Sequence, residues 1–560
     1  MTLAWPTDMP RTLDYPDTGI DTILAGAARA YPDRIALQDG DLALTFAELH
    51  DRAQRVAGGL RTLGVQPGDV VALHMPNNLW FVVAYYGTLC AGAAVAPVNP
   101  TLPPAVLRDQ LVDVQARVVI SHPNFVKVVH AAEADCVHSV VCVEETQTAP
   151  ASEGVELAED VVPFSELLQS DPLTDYRPDP QLVAHLQLTG GTTGRSKAVR
   201  VLQRNLVSNV IQMACWRSGV AVEHDDLGGI RMSASKSDFP HALVPGAGVN
   251  IAVAPLFHGL GLVGQNVSTL LGATVHFTGR FDPDTMLADI ERLGVTNLTG
   301  SPAMYYALLA SPAINQYDLS SVIAINSGAA PFDTTSLATL RARFGNASVS
   351  EAYGLSEATM GVTGAPMGSA IPTPADSVGV AIFDTELEIR DGDGKPLPTG
   401  DVGELWVRGP QITDGYQGEP ELTAVQFRDG WLATGDMARL DEHGHVFLVG
   451  RSKDMIIYKG YNVYPQPLEE ILCSHPAVVQ AAVVGRPSPQ AGEIVTAFVV
   501  LNPEVQAAGG LDAVLETEIS DYVAAKVAPY QKIRSIHAVE SLPLTATGKV
   551  LKSELRRQLR

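Results

Sequence analysis

The residues best suited to chemistry lie in one short run of the chain, Leu186-Gln187-Leu188-Thr189-Gly190-Gly191-Thr192-Thr193-Gly194-Arg195-Ser196-Lys197. An apolar, strand-like start gives way to three glycines whose backbone N–H groups can approach an anion. Thr192 and Thr193 add hydroxyl donors, and Arg195 and Lys197 add positive charge. A loop of this composition is built to cradle phosphate. It is not a Walker A loop, because no Gly-Lys-Ser/Thr triplet closes it.

Such a loop needs a rigid frame, and the flanking sequence describes one. Apolar positions recur with helical spacing over 46–63, and Gly64 with Pro67-Gly68-Asp69 ends that helix before an apolar strand at 70–73. Helix then strand recurs at 107–114 and 118–120, and again at 286–293 and 295–298, with a further buried strand at 322–325. This alternation predicts an α/β chain with doubly wound parallel sheets covered by helices. Past about residue 378 the texture changes. Strands at 387–390 and 403–408 flank Asp391-Gly392-Asp393-Gly394 and Thr399-Gly400-Asp401, which reads as an antiparallel, barrel-like unit. Strands at 480–484 and 495–501 and a helix near 515–527 predict a separate small α+β domain. The uncharged run 79–98 is long enough to span a bilayer. Its Gly87, Gly92 and Pro97, and its Ala-Val-Ala-Pro-Val end, instead suit a buried helix feeding a buried strand, so no membrane span is expected.

Composition narrows the partners. A chain of 560 residues exceeds one domain at roughly 100–200 residues each. With 62 acidic and 38 basic side chains the net charge is −24, which disfavours nucleic acid and requires a locally basic site for any anionic substrate. Cys90, Cys136, Cys142, Cys215 and Cys473 form no CxxC or Cys/His spacing, so a reduced, cytoplasmic chain without structural zinc is expected. The acidic start, with Asp8, Asp14, Asp17 and Asp21, lacks the basic and apolar regions of a signal peptide. Oligomeric state is open.

Four further motifs follow the phosphate loop in order. They are Glu351-Ala352-Tyr353-Gly354-Leu355-Ser356-Glu357, then Trp431-Leu432-Ala433-Thr434-Gly435-Asp436, then Gly450-Arg451-Ser452-Lys453-Asp454 with Lys459-Gly460-Tyr461-Asn462-Val463-Tyr464-Pro465, and last Pro543-Leu544-Thr545-Ala546-Thr547-Gly548-Lys549. Together with the loop they resemble the adenylate-forming superfamily of acyl-CoA synthetases, carrier-loading adenylation domains and luciferases. The resemblance is strongest to the 4-coumarate:CoA ligase and acyl-CoA ligase branch, and spans about residues 20–555.

The resemblance implies ATP-dependent activation of an acid, with release of pyrophosphate and formation of an acyl-AMP, followed by transfer, most simply to coenzyme A. It implies that Thr189, Gly190, Gly191, Thr192, Thr193, Gly194 and Lys197 hold the phosphates, and that Glu357 holds Mg²⁺ through oxygen. Tyr353 would stack on adenine with Gly354 allowing close approach, Ser356 would donate to the α-phosphate, and Glu351 and the 328–330 segment (Gly328, Ala329, Ala330) would complete the nucleotide site. Asp436 would take the ribose hydroxyls, since two acceptor oxygens suit a vicinal diol. Arg451 would add a ribose or phosphate contact. Lys549 is the expected catalytic lysine, a point charge on a long stem. The acid pocket would include His258, Ser301, Met304, Asn326 and Gly328, with His258 either touching the carboxylate or simply starting a helix. Residues 1–451 would form the large ATP- and acid-binding part, with its barrel-like portion at about 378–451. Residues 452–560 would form a small mobile domain hinged at Lys453, whose rotation withdraws Lys549 and presents the acceptor site at Lys459, Gly460 and Tyr461.

The sequence also departs from the family. The loop ends Ser196-Lys197-Ala198 where Pro-Lys-Gly is usual, Leu202-Gln203 replaces a Thr-His pair, and 215–250 is longer than in most relatives. Alanine resists the positive φ that glycine accepts, so the backbone at 198 is either ordinary or reshaped. The extra segment is either a surface loop or a lid. Two alternatives follow: a diazotase-like ligase that couples nitrite to an aromatic amine, and a non-catalytic nucleotide-binding relative.

Overall fold

The computed structural model describes residues 3–6, 9–152, 158–189, 196–330, 332–545 and 549–559. Two parallel-rich, seven-stranded sheets carry the large part of the molecule. In spatial order the first runs Val162–Pro163, Ser139–Cys142, Ala116–Ser121, Val70–His74, Ala94–Pro97, Val183–Thr189 and Lys197–Leu202. Only its last pair is antiparallel. The second runs Ser348–Glu351, Ala324–Ser327, Asn297–Gly300, Val249–Ile251, Thr274–Phe277, Ile35–Asp39 and Leu42–Thr45, and again only the last pair is antiparallel. The α/β class read from helix–strand alternation is the one observed.

Local signals place the elements. Helix Phe46–Thr62 opens with a capping box in which Thr45 and Glu48 satisfy each other's backbone N–H groups, at 3.2 and 2.8 Å. The run at 79–98 folds as helix Leu79–Cys90, buried all round, feeding the buried strand Ala94–Pro97. No described helix is long and apolar enough to cross a membrane.

The barrel-like expectation takes a more open form. Glu386–Arg390, Gly403–Arg408, Phe427–Arg428, Trp431–Leu440 and Val446–Arg451 make a five-stranded antiparallel sheet. The long strand Trp431–Leu440 pairs with three neighbours, with register shifts against two of them, and the described pairings do not close a ring.

A last five-stranded sheet draws all its strands from residues 456–538, with helices Pro465–Cys473, Ala513–Ala524 and Lys552–Gln558. Ile456, Leu468, Val483, Val495 and Ile519 belong to its own apolar core. This unit is the small α+β domain expected from the sequence. The 215–250 segment includes a hairpin, Val222–His224 with Ile230–Met232, laid against helix Asp21–Ala30. A Cβ on Gly26 would overlap the Ile230 carbonyl, and Arg29 pairs with Asp225 at 2.6 Å, so this hairpin is clamped to the body of the protein.

Candidate active site

The phosphate loop is the connection of an antiparallel hairpin. Thr189 pairs with Lys197 across strands Val183–Thr189 and Lys197–Leu202, and the Thr189 hydroxyl donates to the Lys197 carbonyl at 3.3 Å. Gly190, Gly191, Thr192, Thr193, Gly194 and Arg195 lie outside the described residues, as do Pro331 and residues 546–548. Ala198 is extended strand paired with Leu188, so the backbone there is ordinary and glycine is not required.

Asp436 and Arg451 face each other across strands Trp431–Leu440 and Val446–Arg451. Arg451 Nε lies 3.0 Å from Asp436 Oδ1, and the Tyr353 hydroxyl donates to Asp436 Oδ2 at 2.6 Å. The negative charge of Asp436 raises the Arg451 pKa. The Asp436 carboxylate is therefore held in orientation by a donor on each of its oxygens. Gly354 has a reason internal to the chain: a Cβ there would overlap the Met360 carbonyl, because Gly354 bridges to Gly361. Ser356 opens the short 3₁₀ turn Ser356–Ala358 that carries Glu357.

Sequence reasoning missed Tyr416. Its hydroxyl is 2.7 Å from Glu357 Oε1 and 2.8 Å from Gln426 Oε1, while its ring lies 5.8 Å beneath Lys197 Nζ. The segment before it is pinned to the phosphate-loop hairpin, with Arg200 N–H donating to Gly415 O at 2.9 Å and Thr413 N–H donating to Glu357 O at 3.0 Å. Tyr416 thus ties the carboxylate to the lysine. Among the described residues Tyr416 donates to Glu357 Oε1 and not to Oε2, and a carboxylate tied in this way to Lys197 fits Mg²⁺, which takes few protein ligands and completes its shell with phosphate and water.

Lys549, from the far end of the sequence, is half-buried within electrostatic reach of Arg451, Asp436, Glu357 and Lys453. Burial, followed by the Arg451 charge, lowers its pKa. Its positive charge also reaches His258, whose pKa is pushed down to about 4, chiefly by burial. His258 is therefore neutral near pH 7. Its Nδ1 accepts the Leu260 N–H at 3.4 Å at the start of helix Gly259–Leu270. Lys453 sits in the 3₁₀ turn Ser452–Asp454 that links the two sheets, beside a cleft of about 340 Å³ lined by Glu404, Trp406, Arg428, Thr434 and Arg451.

The expected acceptor residues lie apart from this cluster, on the surface. Lys459 and Gly460, with φ of 51° and 83°, make the two-residue turn between strands Ile456–Tyr458 and Tyr461–Val463. Positive φ at both positions is the signature of a type I′ hairpin turn, which accounts for the glycine locally. Tyr461 is exposed and stacks on Tyr530, ring centroids 4.7 Å apart.

Helix Gly259–Leu270 is tied to one face of the second sheet by a hydrogen bond from Asn250 Nδ2 to Ser268 Oγ, 2.8 Å long. That face is polar: Asn250, Asn297, Thr299, Asn326 and Ser350 are register neighbours across four parallel strands. Asn326 Nδ2 donates to Asn297 Oδ1 at 3.3 Å. Parallel sheets are normally apolar on both faces, so this row marks a face turned to something polar. On the helix, a Cβ at Gly264 would meet nothing within 4 Å. Of the other expected pocket residues, Gly328 continues from strand Ala324–Ser327 and Ser301 precedes helix Pro302–Ala310, whereas Met304 lies in the apolar core behind the sheet. The Asn297 and Thr299 pair was missed; polar residues alternating inside a buried strand, Asn-Leu-Thr-Gly, were the available signal.

Ala329 adopts a positive φ of 70°, a costly conformation for alanine, within the 328–330 segment. Glu351 Oε1 accepts the Phe332 N–H at 3.0 Å, which fixes the end of that segment. Burial raises the Glu351 pKa to about 8, and the charge of Glu470 on helix Pro465–Cys473 adds to the rise. Its carboxyl thus faces the small domain.

Residues 24–417 match the family described as AMP-binding enzyme, and residues 467–549 match the AMP-binding enzyme C-terminal domain. The chain is 31% identical over 577 residues to a long-chain-fatty-acid–CoA ligase of Bacillus subtilis, covering 98% of this chain and 96% of the relative. It is 33% identical over 540 residues to 4-coumarate–CoA ligase 2 of Solanum tuberosum, covering 94% and 92%. Among solved structures, ATP-bound MatB from Rhodopseudomonas palustris superposes with a TM-score of 0.82 at 28% identity, covering 96% of this chain and 98% of that one.

Proposed function

The chain belongs to the AMP-binding enzymes, and from that membership we propose that it activates a carboxylic acid with ATP and passes the acyl group to coenzyme A. It is an AMP-forming acid–thiol ligase. In the first step a carboxylate oxygen attacks the α-phosphorus, the bond to the β-phosphate oxygen breaks, and pyrophosphate leaves. In the second the CoA thiolate attacks the acyl carbon and AMP leaves.

The observation that carries the residue assignments is the delivery of Lys549 into the space shared by Asp436, Arg451, Glu357 and His258. Several anionic oxygens must meet at one phosphorus, so catalysis rests on cations placed where charge accumulates. Lys549, Arg451 and Lys197 supply them, Asp436 orients the ribose, and Tyr353 positions Asp436 while offering its ring to the base. Mg²⁺, held by Glu357, would neutralise phosphate charge. Neutral His258 leaves the incoming carboxylate to Lys549 and to backbone donors near Gly328. In this arrangement the Lys459–Gly460 turn is exposed, which suits the adenylating state; rotation about Lys453 would exchange the two faces. A cytoplasmic setting, where ATP and reduced thiol coexist, suits this chemistry.

The test is pyrophosphate exchange with aliphatic, aryl and aminoaryl acids, with and without CoA. Acid-dependent exchange with CoA-dependent thioester release is expected. Turnover that needs nitrite and an arylamine, and ignores CoA, would replace this reading with the diazotase-like one.

A further inference from the structure

Thr359 follows the short turn Ser356–Ala358 that carries Glu357. Its φ of 62° and ψ of −60° close a three-residue γ-turn in which Met360 N–H donates to Ala358 O at 2.6 Å. This is the strained hand of that turn, and a β-branched side chain makes it a genuine outlier. Among the described residues other than glycine that take a positive φ, Thr359 alone is β-branched. A glycine adopts the conformation freely, so threonine stands here against its own backbone preference. What it adds is a hydroxyl. The residue is 2% exposed, and its Oγ1 donates to Gln411 O at 2.7 Å.

That bond ends on a rigid anchor. Gln411 is fully buried, its Nε2 donating to Thr385 Oγ1 at 2.7 Å and its Oε1 accepting from Gln212 Nε2 at 3.3 Å. Gln212 Nε2 also donates to Phe383 O at 2.6 Å. About one turn earlier on the same helix, Gln203–Ser218, the buried Asn209 holds the far side of the strained turn: it accepts from Gly361 N–H and donates to Gly361 O, both at 2.9 Å. Amides that pair with one another inside the fold stiffen what they hold. The helix begins where the phosphate-loop strand Lys197–Leu202 ends, so the loop and the turn bearing Glu357 are fixed to one helix. Two residues beyond Gln411, Thr413 N–H and Oγ1 both donate to Glu357 O at 3.0 Å, and the Tyr416 hydroxyl holds Glu357 Oε1. Segment 411–416 thus grips the backbone and the carboxylate of Glu357, and Thr359 is its third point of attachment.

We propose that Thr359 is a positioning residue for the metal-bearing carboxylate: its γ-turn, held closed by Gln411 O and by Asn209, sets the direction from which Glu357 meets the Mg²⁺ that accompanies ATP. The chain reverses within a single residue, so opening that turn swings Glu357 and Ser356 away from the helix that carries the phosphate loop. The strain is kept because a relaxed backbone would leave the carboxylate free to turn. This inference rests on the reading of Glu357 as the metal ligand and names the residue that aims it.

Three substitutions separate strain, hydroxyl and position. Thr359→Val keeps the branch and deletes the hydroxyl, Thr359→Ser keeps the hydroxyl, and Thr359→Gly removes both strain and hydroxyl. The affinity of the enzyme–ATP complex for Mn²⁺ is read by electron paramagnetic resonance, beside the melting temperature of each free protein. Thr359→Val should weaken Mn²⁺ binding by roughly tenfold or more, the scale for a lost support behind a ligating group, and Thr359→Ser should restore it. Thr359→Gly should melt above Thr359→Val, since both lack the hydroxyl and only glycine accepts the positive φ, yet bind Mn²⁺ no better than Thr359→Val. Undiminished Mn²⁺ binding in Thr359→Val or Thr359→Gly overturns the proposal and leaves Thr359 a structural part alone. Should Thr359→Val fail to fold, Thr359→Gly and Thr359→Ser decide. Glu357→Gln tests the reading beneath: unaltered Mn²⁺ binding there removes Glu357 from the metal, whereas weakened binding there with undiminished binding in the Thr359 variants defeats only the positioning role.

Discussion

Lys549, Lys453 and Arg451 repel one another, and burial lowers the Lys549 pKa further, so the site is electrostatically poised for a polyanion. Lys549→Ala should reduce pyrophosphate exchange by about 10²–10³-fold, the scale for one removed donor at a charge-developing oxygen, while calorimetry still detects ATP binding. An unchanged exchange rate would refute its catalytic role. Tyr416 makes a second residue-scale claim. With its hydroxyl 2.7 Å from Glu357, Tyr416→Phe removes a hydrogen bond worth about 1 kcal/mol and frees the carboxylate to turn. The half-saturating Mg²⁺ concentration in the exchange assay should rise roughly fivefold by that figure; no rise would detach Tyr416 from the metal site. Tyr416 escaped the sequence reading because an aromatic residue in a loop gives no sign of touching groups about 60 and 220 positions away, a link made only by folding.

At the scale of elements, what the sequence shows best is what neighbours along the chain dictate. The helix at 46–63 and the strand after it were legible because a helical period and a Gly/Pro stop lie side by side. The Lys459–Gly460 turn belongs to the same class, since a two-residue hairpin turn with positive φ selects glycine locally. Gly354 does not, because its constraint is the Met360 carbonyl folding back over it. Gly354→Ala should destabilise the protein by about 1–3 kcal/mol, as overpacking does, visible as a lowered urea midpoint before any kinetic effect on nucleotide binding. A variant of full stability with weakened ATP binding would return Gly354 to a purely adenine-facing role. The open antiparallel sheet differs from the expected barrel-like unit for a related reason: strand Trp431–Leu440 pairs with three partners at once and shifts register against two of them.

The whole molecule adds a property that no single element contains. Glu351, on the edge strand of the second sheet, faces Glu470 of the small domain, and Asp333 and Asp376 also bear on this interface, with Arg341 opposing them. The folded pKa of Glu351, about 8, lies above the unfolded value near 4.3, so the folded state binds the extra proton. Its contribution is therefore fully present below about pH 4 and is lost as pH rises through about 8. Melting temperatures should fall between about pH 4 and pH 8, and Glu351→Gln, which keeps the acceptor for Phe332 N–H, should flatten that slope. An equal slope in both proteins would sink the account. The proposed hinge makes the companion prediction. If rotation about Lys453 serves only the second step, Lys453→Pro should slow thioester formation from preformed acyl-AMP more than pyrophosphate exchange in single-turnover assays; equal losses would remove Lys453 from that role.

The sequence by itself determined the α/β class, the order of the motifs and the family, because each rests on residues adjacent in the chain: a glycine-rich run, a helical period, a Thr-Gly-Asp corner. It also gave Asp436, Arg451 and Lys549 as separate candidates. Tertiary structure alone decided that these three converge, that Tyr416 joins Glu357 to Lys197, and that His258 is a neutral helix start. It alone placed Met304 in the apolar core. Those outcomes depend on desolvation and on distances between residues far apart in sequence, and neither quantity exists until the chain has folded.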